Sequence, residues 1–348
     1  MRRRRKLWIA LAALVLLLAG GDTLYWRFVT QQLDAGFRDW VAAERAGGGS
    51  VQADPPQPGG WPFAATLTTA HVELTDTLEF PGGLAWRADR LTLRIDLLHP
   101  RHLQAIPGGM QRLRLGNAPF VPFTAGRMTA DIPLPQDQPP HEAVLQAENL
   151  RAGVSAGGDT GGSLTVRRLS ARFDVPPGQP KPVLAYTLSA DTVTLPSRFR
   201  WALGDTIAAV SADGILSAPF PPGNTALAQA IAWHQQGGEL DLRHFALHWG
   251  PLGLSANGKL VLDQQLQPAG QLTARVTGYD GTLDAMTQAG VLPGSAALAA
   301  RAVLSLLAKP AANGQPSEVE VPLRLQHNML FMQNMPLARV PVLDWQQP

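Results

Sequence analysis

His244 and His248, four residues apart with Glu239 and Asp241 close by, come nearest to a metal site in this chain, which has eight histidines and no cysteine. On a helix that spacing would put both imidazoles on one face. The flanking residues alternate as a strand does, and no His-Glu-x-x-His occurs. On a strand, positions i and i+4 share a face but stand about 13 Å apart, too far for one ion. The two histidines therefore read as solvated or edge residues, and no metal is expected. His99 and His102 flank Pro100-Arg101 and read as a turn. Gly157-Gly158-Asp159-Thr160-Gly161-Gly162 has the glycine content of a phosphate-cradling loop. It lacks the lysine and the following helix, so a flexible turn is expected. No Gly-x-Ser-x-Gly elbow, Walker loop or Gly-x-Gly-x-x-Gly is present. An acid and a base converging from distant strands would leave no local signature. The expectation is a protein that is not an enzyme, with no catalytic residue and no cofactor, and an exported hydrolase is a minor alternative for want of a nucleophile setting.

The residues with a visible use are aliphatic. Leu91, Leu93, Ile95 and Leu97 alternate with Thr92, Arg94 and Asp96, so one face of a strand is apolar and the other polar. Leu260 and Leu262 repeat the spacing. Such faces fit an ordinary core of stacked sheets, and composition favours that reading. They also fit a long curved sheet whose concave apolar face holds lipid chains. On that second reading, these six residues are the lipid-binding candidates.

The elements that must position them begin at the N-terminus. Arg2-Arg3-Arg4-Arg5-Lys6 precede an apolar run from Leu7 to Gly21, which Asp22 interrupts before Leu24, Tyr25, Trp26, Phe28 and Val29. A helix needs about 20 apolar residues to cross a bilayer. Five leading cations place the N-terminus in the cytoplasm, and Tyr25 and Trp26 suit the far interface. The expectation is an uncleaved span over residues 7–29. A cleaved signal peptide ending at Ala19-Gly20-Gly21 is the competing reading. Either exports the chain.

The stated pI near 9.2 misleads. Five of the 29 basic residues lie at Arg2–Lys6, and the 24 that remain face 27 acidic ones. No basic stripe exists beyond the terminus, which excludes nucleic acid. Without cysteine, disulfides and thiolate chemistry are excluded too.

From Asp22 to Ala46, the spacing of Leu24, Phe28, Phe37, Trp40 and Val41 predicts a helix that Gly47-Gly48-Gly49 ends. Residues 52–60 are read as a linker without regular structure. The chain carries 34 Gly and 30 Pro, spread along its length, above the usual share of about 12% for the two together. Many short strands joined by turns follow from that. Strands are expected at 91–97, 128–132, 164–166, 184–188, 271–276 and 319–326, with a last one at 330–332 and Pro-broken coil after it. The phase slips near Phe245, Leu247 and Trp249, which predicts a bulge. Asn224-Thr225 is expected to cap a helix stopped by Gly237-Gly238, and further helices are expected at 281–289 and 295–308.

Several short stretches carry a resemblance. They are Gly60-Trp61-Pro62-Phe63 before a strand, Leu247-His248-Trp249-Gly250-Pro251-Leu252-Gly253-Leu254-Ser255-Ala256-Asn257-Gly258-Lys259-Leu260, Pro268-Ala269-Gly270-Gln271-Leu272, Val276-Thr277-Gly278-Tyr279 and Ala289-Gly290-Val291-Leu292. With the N-terminal anchor, most of the chain resembles a bacterial envelope family, the domain of unknown function 2125, and distantly the AsmA-like proteins. The resemblance implies an inner-membrane, single-pass anchor with a periplasmic β-rich body and a kinship to groove-shaped lipid-handling proteins. It brings no catalytic residues.

The expected fold class is mainly β: a large curved antiparallel sheet, β-groove or sandwich with a few short helices. The expected divisions are a cytoplasmic tail (1–6), an anchor (7–29), a helix and linker (30–60), an N-terminal β-rich region (61–222) and a C-terminal AsmA-like region (223–348). The expected function is binding or transfer of phospholipid, or support of the outer membrane. The alternative is a structural or assembly module acting through an envelope protein partner.

Overall fold

A computed structural model describes residues 2–75, 83–116, 118–136, 140–156, 159–178, 183–217, 225–308, 317–332 and 335–345; the side chains of residues 2–13, 15, 154–156, 159–161 and 307 lie outside that description. The first element is one unbroken helix, α1 (Arg2–Ala46). The expected anchor and the expected helix after it are thus a single rod. Much of the expected span falls on side chains outside the description. Among the described residues, no helix is long and apolar enough to cross a membrane.

The rod ends where the three glycines stand. Gly48 takes φ +94, the left-handed conformation that costs glycine least. Gly49 N–H then bonds to Glu44 O at 2.9 Å and Gly48 N–H to Arg45 O at 3.2 Å, a Schellman closure.

Among the described residues, seventeen strands follow in one sheet. The first seven are β1 (Ser50–Gln52), β2 (Gln57–Gly59), β3 (Ala64–Thr75), β4 (Leu84–Asp96), β5 (His102–Leu115), β6 (Val121–Thr124) and β7 (Arg127–Pro133). Then come β8 (Glu142–Ala156), β9 (Asp159–Asp174), β10 (Val183–Thr194), β11 (Thr206–Ser217), helix α2 (Ala226–Gln235), β12 (Glu239–Trp249), β13 (Leu252–Leu262) and β14 (Pro268–Thr277). Helices α3 (Tyr279–Gln288) and α4 (Gly294–Leu307) precede β15 (Glu318–Gln326), β16 (Met329–Met332) and β17 (Met335–Arg339). All the pairings are antiparallel. From β3 onward each strand lies beside its sequence neighbour, save that β5 and β8 each pair with both β6 and β7. Both β1 and β2 pair with β3. The sheet continues through the expected boundary at 222/223, because β11 pairs with β12.

Three segments differ from expectation. Residues 52–60 are not all linker: Gln57–Gly59 forms β2 against Thr66–Thr68. An edge strand tolerates Pro58, since no ladder donor is required on its outer side. Residues 159–162 of the glycine-rich stretch belong to β9, with Ala156 paired to Asp159, while 157–158 lie outside the described residues. Met335–Arg339 forms β17 against β16 despite Pro336. Of the expected Asn224-Thr225 cap, Asn224 lies outside the described residues and Thr225 caps α2, its hydroxyl accepting from Ala228 N–H at 3.1 Å. The predicted bulge is present, between Leu242 and Phe245.

Candidate functional site: the apolar face of the sheet

Directly paired residues of an antiparallel ladder point to the same side of the sheet. The registers therefore trace a single apolar row from strand to strand. It runs Leu67, Leu93, Ala105, Ala130, Leu145, Ala171, Leu188, Ala212, Phe245, Ala256, Ala274 and Val321. One residue along, the opposite face reads Arg94, Gln104, Asp131, Val144, Arg172, Thr187, Asp213 and His244. That polar side is laced by exposed cross-strand ion pairs, such as Arg87 Nε to Glu73 at 2.9 Å and Lys259 to Glu239 at 2.7 Å. Such pairs are worth little each and mark the solvated side. A bulge keeps the apolar face continuous on β12. It absorbs the extra residue, so Leu240, Leu242, Phe245 and Leu247 all stay on one side.

The helices pack on the apolar side. Val29, Leu33 and Phe37 of α1, spaced one turn apart, bury themselves with Leu67, Leu91, Leu93, Ile95 and Leu97. Trp233 and Ala230 of α2 cover Leu262, with Trp345 alongside. Tyr279 and Leu304 lie against Val319 and Val321. Between these coverings, the cluster around Val166, Ala190 and Val193 contains no helical residue. Its partners are Leu150, Leu164, Leu169, Leu195, Ile207 and Val210. Leu188 and Phe173 are exposed there, at 37% and 38%.

The six expected lipid-binding residues are thus not brought together. Leu91, Leu93, Ile95 and Leu97 are each below 10% exposed, within the cluster that α1 covers. Leu262 belongs to the α2 cluster, and Leu260 is half-buried between Leu240 and Gly270. Among the described residues, the part of the face on which no helix packs is carried by β8 to β11, where the sequence alone shows strands at Leu164–Val166 and Leu184–Leu188. The missing signal was α1 itself, whose 29/33/37 spacing required an apolar partner.

Close backbone approach shapes the β11–β15 side of this face. A Cβ on Gly258, at φ +153, would stand 2.2 Å from Gln271 O, and one on Gly214 would stand 2.7 Å from the Tyr186 hydroxyl. Burial, and then the charges of Asp213 and Asp241, hold the Tyr186 phenol above its ordinary pKa. Its neutral ring therefore packs over Gly214 as part of the apolar face.

Nothing in the arrangement gathers a reactive constellation among the described residues. His244 and His248 are exposed on β12, His244 opposite Asp213, and no group of three His, Cys, Asp or Glu side chains is close enough to share a metal. A shallow depression of about 840 Å³ over β13–β15 is lined mainly from the polar side by Asn257, Lys259, Gln271, Thr273 and Arg324.

No curated protein and no solved structure matches the chain. A family of uncharacterized proteins conserved in bacteria, DUF2125, matches it over residues 26–341. The matched stretch begins at Trp26, whose indole N–H bonds to Gly59 O at 3.1 Å and so ties α1 to the sheet edge. It takes in the packed half of α1 and nearly all of the sheet, and the chain belongs to the DUF2125 family.

Proposed function

We propose that this protein is a bacterial inner-membrane protein with its sheet in the periplasm, and that the apolar face of a curved sheet binds or transfers a phospholipid without catalysing a reaction. The observation that carries the reading is the continuous apolar row on whose middle no helix packs among the described residues: Leu188 and Phe173 are exposed there, beside Val166, Ala190 and Val193, which are buried among strand side chains alone. Burial of methylene groups contributes about 0.8 kcal/mol each, so a dozen of them offer on the order of 10 kcal/mol before the costs of association. The anchor is supported by Leu16, Leu17, Leu18 and Leu24, each more than 60% exposed on α1, an arrangement that suits hydrocarbon as solvent.

The test compares the full chain with Leu188→Asp, purified identically and exchanged into lipid-free amphipol. Mass spectrometry of extracted lipid should find more phospholipid per chain in the wild type. Equal lipid content in two folded proteins would refute the assignment.

A second reading has its own observation. Leu298, Val303 and Leu306 are exposed on α4, Leu306 at 87%. That surface fits an envelope protein partner of an assembly module. Crosslinking from Leu306 to one defined protein, with no lipid on the sheet, would favour it.

A further inference from the structure

The turns of the sheet divide between two ends, and α1 has a fixed direction across them. Midway along it, Trp26 donates to Gly59 beside the β2–β3 turn; near its finish, the Arg45 guanidinium donates to Val51 O at 2.7 Å, where β1 meets the far end of β3. The apolar stretch before Trp26 therefore projects past the end of the sheet that carries the β2–β3 and β4–β5 turns. Those two turns are tied to each other, because Leu97 N–H bonds to Phe63 O at 3.1 Å. Beside the exposed His99, Pro100 and Arg101, these turns expose three large apolar side chains: Trp61 at 53%, Phe63 at 77% and Leu98 at 84%. Water-facing turns favour polar residues, so three large apolar side chains here require a cause. Arg27 and Arg101 are exposed near these turns; Asp96 accepts the Leu98 N–H at 3.0 Å, and Asp22, one turn of α1 before Trp26, keeps a buried carboxylate oxygen.

We infer that this end of the sheet is itself a membrane-docking surface, with Trp61, Phe63 and Leu98 seated in the headgroup region of a phospholipid bilayer around the point where α1 enters it. Trp suits that layer because its ring is apolar and its N–H polar; the two arginines face lipid phosphates. A single helix alone leaves its body free to swing. The docked turns hold it upright and bring one end of the apolar row to the lipid source. The inference rests on the reading of α1 as an anchor.

The chain has no cysteine, so each single-cysteine variant carries one thiol. The full chain would be reconstituted into phosphatidylethanolamine–phosphatidylglycerol vesicles as Phe63→Cys, Leu98→Cys, Leu17→Cys or Leu115→Cys, each bearing a nitroxide. Leu115 is exposed at the other end of β5 from Leu98, about 45 Å away along the strand. Electron paramagnetic resonance then compares collisions with oxygen, which enriches in lipid, and with a water-soluble nickel chelate. The expected result is an oxygen-to-nickel ratio several-fold higher at positions 63, 98 and 17 than at 115. Ratios at 63 and 98 equal to that at 115, with a high ratio at 17, would overturn the docking while leaving the anchor standing. A low ratio at 17 as well would overturn both.

Discussion

Leu33→Ala tests whether α1 is part of the fold or merely a leader to it. Leu33 is 6% exposed, between Val29 and Phe37, in one cluster with Leu67, Leu91, Leu93 and Ile95. Truncating a buried leucine removes its transfer energy and leaves a cavity, together about 2–5 kcal/mol. The site lies between a helix and a sheet that can move together, so the lower half of that range, about 2–3 kcal/mol, is expected. Leu93→Ala, 9% exposed across the same interface, should cost a similar amount. The double variant should lose less than the sum, by roughly 0.5–2 kcal/mol, because the two residues share one cluster. Denaturation of the full chain in micelles, with hydrogen exchange read over residues 29–46, supplies both quantities. A cost under about 0.5 kcal/mol for Leu33→Ala, the level of an ordinary surface change, would refute the packing. Leu91 to Leu97 would then be open to a ligand.

Other consequences concern local chemistry. Gly258→Ala places a methyl 2.2 Å from Gln271 O at φ +153, so a loss of about 1–3 kcal/mol is expected in a thermal melt. Gln267 holds the C-terminal tail through bonds of 2.9 Å to Leu343 O and from Leu343 N–H, and takes another of 3.0 Å from Asn328. Gln267→Ala should therefore free the last described residues to proteolysis near Leu343, at a cost of about 2–3 kcal/mol. His71 bonds to Asp54 at 2.8 Å, and that bond, then the carboxylate charge, raises the imidazole pKa above its ordinary 6.5. A raised histidine pKa adds stability below the unfolded value that fades as pH climbs through the folded one. The NMR titration midpoint of His71 should lie above 6.5 and fall in Asp54→Asn.

Much of the fold was legible because the chemistry was local. The alternation from Leu91 to Leu97, the Thr225 cap and the phase slip before Phe245 each state their element within a few residues. The strands at Gln57–Gly59 and Met335–Arg339 did not, since proline in both spoke against pairing and only an available edge makes room for it. The site was legible only as a kind of surface. Alternation marks a face as apolar but carries no statement of what lies over it. That is decided by the helices α1, α2, α3 and α4, which lie outside the strands they pack on. The residues with the clearest pattern were therefore the most deeply covered ones.

The central claim, that lipid lies on the middle of the apolar face around the exposed Leu188, is tested most directly in the living cell. A photo-reactive amino acid would replace Leu188, exposed on that face, and in a second strain Ser189, its neighbour on the polar face. After irradiation, the purified protein is analysed by mass spectrometry for attached phospholipid. Phospholipid attached at 188 and absent at 189 is the predicted result. No phospholipid at 188, or equal amounts at both positions, would contradict it.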